Sequence, residues 1–294
     1  MSVPVQSFFH APTNTWSHVV SDPATRAAAI VDPVLDFDPA SGRIWSSQAQ
    51  LLLDQVRAEA LDVHWILETH AHADHLSGAD WLKSAIRKSS GVAPKIGIGR
   101  GITAVQRHFR EVFGLGTNFP ADGADFDRLF DDGDGVALGA FEIRAMATPG
   151  HTSDGISYLI DSAVFVGDTL FAPQAGTGRC DFPGADAATQ YRSIRRLYAL
   201  PDSTRVFLCH DYPPAGTPPT AETTIAAEKA GNIQLRGDTS EGDYVAFRRA
   251  RDATLAVPRL LYPSLQVNMR AGRLPDADAS GRIFLQLPLQ VTLG

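Results

Sequence analysis

Residues 70–75 read His70-Ala71-His72-Ala73-Asp74-His75, three imidazoles and a carboxylate within six positions. No other segment constrains the chain as much. Groups packed this closely would repel or desolvate one another without a cation, so the segment calls for a bound metal ion. Imidazole and carboxylate are the donors that hold zinc, iron and manganese without thiolates. Alternate residues of an extended segment point the same way. His70 and His72 can therefore grip one ion while Asp74 and His75 face a neighbouring position. Val63-His64-Trp65-Ile66-Leu67 is a short apolar strand that runs straight into this segment, and Leu76-Ser77-Gly78 opens a helix whose N-terminus adds positive potential.

Three further donors lie downstream. His151 sits in Thr148-Pro149-Gly150-His151-Thr152, Asp168 in Val166-Gly167-Asp168-Thr169 and His210 in Cys209-His210-Asp211-Tyr212. Asp168 is placed to touch one metal or to bridge two. His70, Asp168 and His210 each follow an apolar strand, and His151 follows a strand ending near Ala147. Side chains at strand ends rest on a rigid sheet and point into loop space, where layered α/β folds keep their sites. His10, His18, His64 and His108 stand outside this set and read as ordinary core or surface residues.

Strand and helix signals alternate for most of the chain, the mark of an α/β fold. Ala27–Asp32 reads as a buried strand. Ser46 or Ser47 is placed to cap a helix running to about Ala60. Helices are also expected from Gly78 to about Arg87, over the stretch holding Ile102, Val105, Phe109 and Val112, after a cap at Asp186, and from about Ser240 to Leu255. Lys95–Gly99, Phe141–Met146 and Arg205–Cys209 read as strands, and Ile156–Ile160 with Ala163–Val166 as a hairpin across Asp161-Ser162. The tail beyond is broken up by Pro and Gly.

The chain has 294 residues, 44% hydrophobic and 20% charged, enough for a normal core without disulfides. A net charge of -7 and no dense basic block exclude a nonspecific grip on nucleic-acid phosphates. Arg192–Arg196 and Arg248–Arg251 read as solvated helix faces. The two cysteines, Cys180 and Cys209, form no CxxC pattern and suit a reducing compartment. Residues Met1–Gln6 lack a charged region followed by an apolar run, and no stretch is apolar enough to span a bilayer. The expected location is the cytoplasm, with no membrane partner.

HxHxDH, then His, Asp and His in that order, make residues 5 to 215 resemble the metallo-β-lactamase superfamily. The resemblance implies an αββα four-layer sandwich with the site at one edge of its two sheets. Residues 1–294 are then one domain, with 220–294 as a C-terminal extension packed on it. Antibiotic-hydrolysing lactamases commonly carry Cys where this chain has Asp168. Glyoxalase II, a two-metal thioester hydrolase, shares all seven ligand positions. Persulfide dioxygenases have a closely similar set but use a single iron, and the likeness extends to Ile30–Leu35, Gly176–Phe182, His210-Asp211-Tyr212 and Val267-Asn268-Met269-Arg270, above all in the branch termed β-lactamase hydrolase-like.

That likeness implies one Fe(II) per chain on His70, His151 and Asp168, with Zn(II) or Mn(II) an alternative in isolated protein. His72, Asp74, His75 and His210 would surround the iron, orienting ligands and setting polarity. The implied substrates are a small-thiol persulfide, glutathione persulfide first, and O₂. The products are sulfite and thiol. Homodimerisation is implied by resemblance alone. Metal-dependent thioester hydrolysis is the rival activity, and a non-catalytic sulfide or redox sensor the third class. Arg179 either holds an anionic group of the substrate or closes a salt bridge to Asp181. Tyr212 either donates a hydrogen bond at the site or packs. Cys180 is either an activated thiol or an inert one. Asn268 and Arg270 are candidates to close the site from the tail, and Trp16, Trp45, Trp65 and Trp81 for core or interface positions.

Overall fold

A computed structural model describes residues 2–214, 216–289, 291 and 292. One sheet carries β1 (Val5–His10), β2 (Thr15–Ser21), β3 (Ala27–Val31), β6 (Asp62–Leu67), β8 (Lys95–Gly99) and β9 (Arg128–Phe130) in that order. A second carries β10 (Gly135–Leu138), β11 (Phe141–Ala147), β12 (Ile156–Ile160), β13 (Ala163–Phe165), β14 (Arg205–Phe207) and β15 (Glu222–Thr224). A small third sheet joins β5 (Arg43–Trp45), β4 (Val34–Asp38) and β7 (Leu76–Ser77). The helices are α1 (Ser47–Ala58), α2 (Ala79–Ser90), α3 (Ile102–Val112), α4 (Ala187–Leu197), α5 (Ile225–Gly231), α6 (Glu241–Asp252) and α7 (Leu261–Asn268).

The side chains themselves show the layering. Along β3, Ala28 and Ile30 join a cluster with Leu52, Leu82 and Phe109 of α1, α2 and α3, whereas Ala27, Ala29 and Val31 join one with Ile143, Tyr158 and Phe165 of the second sheet. On the far side Val164 and Val206 meet Ile194 and Leu197 of α4 and Tyr244 of α6. Strands buried on both faces lose the polar alternation, which is why these runs are continuously apolar. The order helix, sheet, sheet, helix is the expected αββα sandwich. Each fully buried Val, Ile, Leu or Phe in it contributes roughly 1.5–3 kcal/mol by leaving water.

Strands β3, β6, β8 and β9 are mutually parallel, as are β13 and β14. The C-terminal ends of β3, β6, β13 and β14 deliver Asp32, His70, Asp168 and His210. Asp186 caps α4, accepting from Thr189 N–H at 2.7 Å. Ser46 precedes α1 without a side-chain cap bond; Gln48 N–H is taken by Asp36 Oδ2 at 2.9 Å instead. Arg248 also departs from expectation. It is 1% exposed and paired with Asp252, so only its neighbours Arg249 and Arg251 face water. No helix among the described residues is long and apolar enough to cross a membrane.

Candidate metal centre

The 70–77 segment is pinned from three directions. Asp32, at the end of β3 with φ +48°, accepts Thr69 N–H at 2.7 Å and the Thr69 hydroxyl at 2.9 Å. Asp154 accepts Ala71 N–H at 2.7 Å. Asn268, at the end of α7, donates to His72 O at 2.7 Å and His75 O at 2.8 Å and accepts Ser77 N–H at 2.8 Å. Glu68, beside the segment, takes the Ser77 hydroxyl. Gly167 has φ +54°, and a Cβ there would stand 2.6 Å from Thr69 Oγ1, so glycine is what lets the Asp168 turn close against this segment.

Second partners fix which nitrogen of each ring faces inward. The Thr69 hydroxyl gives its proton to Asp32, so at 3.1 Å it accepts from His70 Nδ1–H and leaves His70 Nε2 with a lone pair. His72 Nε2 lies 3.1 Å from Asp32 Oδ1. His151 Nδ1–H donates to Arg179 O at 2.7 Å, and His210 Nδ1–H to Asn14 O at 3.0 Å. Of the buried polar atoms without hydrogen-bond partners among the described residues, four belong to these donors: His72 Nδ1, His75 Nε2, His210 Nε2 and Asp168 Oδ1. Such orphans are costly in a folded protein. Together with two imidazoles whose free nitrogens face a carboxylate, they fit a divalent cation.

The donors fall into two groups. His70, His151 and Asp168 form one; His72, Asp74, His75 and His210 form the other. Asp168 spans them. Its Oδ2 lies 3.4 Å from His151 Nε2 and 4.0 Å from His70 Nε2, and its Oδ1 lies 3.5 Å from His210 Nε2. Asp74 Oδ2 is 3.1 Å from His210 Nε2. Burial and then the neighbouring imidazoles hold the pKa of His70 well below its ordinary value, and burial with His72 takes that of His75 to about 4. Both are therefore neutral, as ligation requires. Burial also opposes charge on His72 and His210. Asp32 outweighs it at His72, and Asp74 and Asp168 at His210, so both rise well above the ordinary imidazole range. The acids around these two rings thus favour a positive charge at the centre.

A cavity of about 360 Å³ opens over Asp168 and His151, walled by Phe171, Phe182, Tyr212 and Arg251. Tyr212 stacks on His210 with centroids 5.9 Å apart and is 54% exposed, its phenol at the mouth. Arg179 lines the cavity too, but its side chain is committed. It grips both oxygens of Asp181 at 2.6 Å and donates to Ala256 O at 2.7 Å. Its guanidinium closes the salt bridge to Asp181, and its carbonyl reaches the ring of His151. Burial pushes the Cys180 thiol up, the opposite of activation. Arg270 lies over Phe119, 4.6 Å from its ring centre, outside the cavity lining, while Asn268 acts from behind the ligand segment.

Every metal donor expected from the sequence converges on this centre. Sequence reasoning missed Asp32, Glu68 and Asp154 as supports and Cys209 as a buried neighbour, its sulfur within 4.8 Å of donor atoms of Asp168 and His210. Asp32 had two signals: an acid ending a buried apolar run before Pro33, and its place in the Ile30–Leu35 stretch.

Residues 11–210 match the family model described as the metallo-beta-lactamase superfamily. The chain belongs to that superfamily. It is 48% identical to a probable metallo-hydrolase of Burkholderia pseudomallei, over 97% of this chain and 98% of that protein. It is 26% identical to the mitochondrial persulfide dioxygenase ETHE1 of Homo sapiens, over 71% of this chain and 68% of the relative. Among solved structures, ETHE1 from Myxococcus xanthus superposes with a TM-score of 0.70 at 28% identity, covering 93% of this chain and all of that one.

Proposed function

We propose that this superfamily member is a non-haem iron persulfide dioxygenase that converts a small-thiol persulfide, glutathione persulfide first, and O₂ to sulfite and the thiol. The grouping of His70, His151 and Asp168 beneath an open cavity carries the reading. Two imidazoles and one carboxylate on one face of an ion leave the opposite face free for two reactants. The human and Myxococcus relatives support it by name. When bound, ferrous iron supplies a template and an electron source for sulfur and O₂.

The chain's own residues supply position and environment. Asp32, through Thr69, holds His70 with Nε2 facing the centre, and the Arg179 carbonyl does the same for His151. Phe171 and Phe182 narrow the cavity and limit water. Arg251 at its mouth offers a guanidinium to a carboxylate of the thiol carrier. The Tyr212 hydroxyl is placed to donate to the substrate from the rim. The overall reaction takes up one O₂ and one water per persulfide and releases thiol and sulfurous acid, so atoms and charge balance.

The test is anaerobic loading with Fe(II), followed by O₂ uptake and sulfite release on glutathione persulfide, expected at one to one. Efficient thioester hydrolysis without O₂ uptake would overturn the reading. A second reading has its own support: the His72, Asp74, His75 and His210 group offers a second ion position facing Asp168 Oδ1. Two ions per chain by elemental analysis, with thioester turnover, would make the protein a glyoxalase II-like hydrolase; the Burkholderia relative, a probable metallo-hydrolase, supports hydrolysis only in that general sense.

A further inference from the structure

We propose that Arg248 and Asp252, a buried ion pair on α6, hold the metal ligands His151 and Asp168 in place through residues 177–180. Neither side chain belongs to the donor groups, although Arg248 also lines the cavity above them. Arg248 Nη2 meets Asp252 Oδ1 at 2.7 Å, and Arg248 Nη1 donates to Thr177 O at 2.9 Å, Gly178 O at 3.2 Å and Gln234 Oε1 at 2.9 Å. Asp252 Oδ2 accepts Cys180 N–H at 2.8 Å. The two side chains thus grip residues 177, 178 and 180.

The gripped segment is bonded to both ligands. Gly178 N–H donates to Asp168 O at 3.1 Å, and Arg179 O accepts His151 Nδ1–H at 2.7 Å. There is no slack between them: a Cβ on Gly178 would overlap Asp168 O and stand 3.1 Å from His151 Nδ1. Any shift of the segment therefore moves the ligands. Packing alone does not call for this pair. Burying two charges costs desolvation that apolar side chains of similar volume avoid. A guanidinium fork is suited to ordering several fixed acceptors at once, and here it orders the carbonyls of a segment hydrogen-bonded to His151 and Asp168. Arg248 and Asp252 are positioning residues, and α6 acts on the metal centre from outside it.

The test is metal retention, which is separate from any assay of persulfide turnover. Arg248→Met/Asp252→Leu removes both charges and all these bonds while keeping bulk. Arg248→Lys keeps the charge but not the fork. Leu53→Ala, in α1 on the other side of the sandwich, is the control for stability lost elsewhere. Zn(II) affinity is measured by chelator competition, the His151 Nδ1 proton by NMR on the zinc-loaded protein, and the thermal midpoint on each variant. The double variant is expected to bind Zn(II) about ten- to a hundred-fold more weakly, with the His151 proton shifted or exchanging faster. Arg248→Lys should fall between it and the parent, and Leu53→Ala should melt lower with affinity unchanged. Parent-like affinity with an unshifted His151 proton overturns the proposal, as does affinity that follows the thermal midpoint in the same way as in Leu53→Ala. If the double variant does not fold, Arg248→Lys decides by the same two readouts.

Discussion

Asp168 is the residue through which the two donor groups meet, one oxygen facing His151 and the other His210. Asp168→Asn keeps the shape and removes the charge that offsets a divalent ion. Removing a partner of a ligand typically costs ten- to a hundred-fold in metal affinity, so loss of the ligand charge itself should cost about a hundred-fold or more. Elemental analysis of the purified variant checks this, and full metal occupancy would remove Asp168 from the ligand set. At Gly178 the expectation is steric. Gly178→Ala forces a methyl onto the Asp168 carbonyl, and overpacking of this kind costs about 1–3 kcal/mol. It should lower the thermal midpoint and metal affinity together. The donors were legible in the sequence because three imidazoles and an acid within six residues are chemically unstable without a cation. Their supports were not. Asp32 acts on a residue 37 positions away and Asn268 on one 196 away, and nothing local separates an acid that takes a buried N–H from one that faces water.

At the scale of elements, α7 matters more than its eight residues suggest. Its last residue, Asn268, closes three hydrogen bonds with the ligand segment. Asn268→Ala leaves two carbonyls and one N–H unpaired in a buried place. A buried group left unsatisfied costs about 1–3 kcal/mol, so a fall of about 3 kcal/mol in unfolding free energy is expected. Denaturant titration with an unchanged slope would show it, and a change under 1 kcal/mol would mean that water replaces the amide. This helix was unreadable in the sequence because Pro263 breaks the pattern. Proline in a first helical turn removes an N–H that has no partner anyway, and Pro263 stands third in α7. The long runs of the central strands were legible because both faces are buried. β4, β5 and β7, of five residues or fewer, are too short to show a period and pair with one another in the third sheet, β4 with β7 across a long stretch of sequence. Arg248 was misread for a related reason: a cation on an amphipathic helix looks solvated until the opposing loop is known.

For the molecule as a whole, the outer helices are held by polar contacts as well as by apolar layers, and one of these has a pH signature. Glu228 of α5 is fully buried; one carboxylate oxygen accepts Asn232 Nδ2–H at 2.7 Å and the other has no partner. Burial raises its pKa to about 8 from an ordinary 4.5. Between those values the folded chain keeps a proton that the unfolded chain has released, so stability must fall as pH rises through that window and level off above it. Each pH unit of the window is worth up to ~1.4 kcal/mol. Glu228→Gln, which keeps the amide contact without the titration, should melt close to the parent at pH 4.5 and progressively higher than it towards pH 8. Thermal midpoints of the two proteins across that range provide the check. Parallel curves would mean that Glu228 is charged in the fold and draws a cationic partner or water into α5.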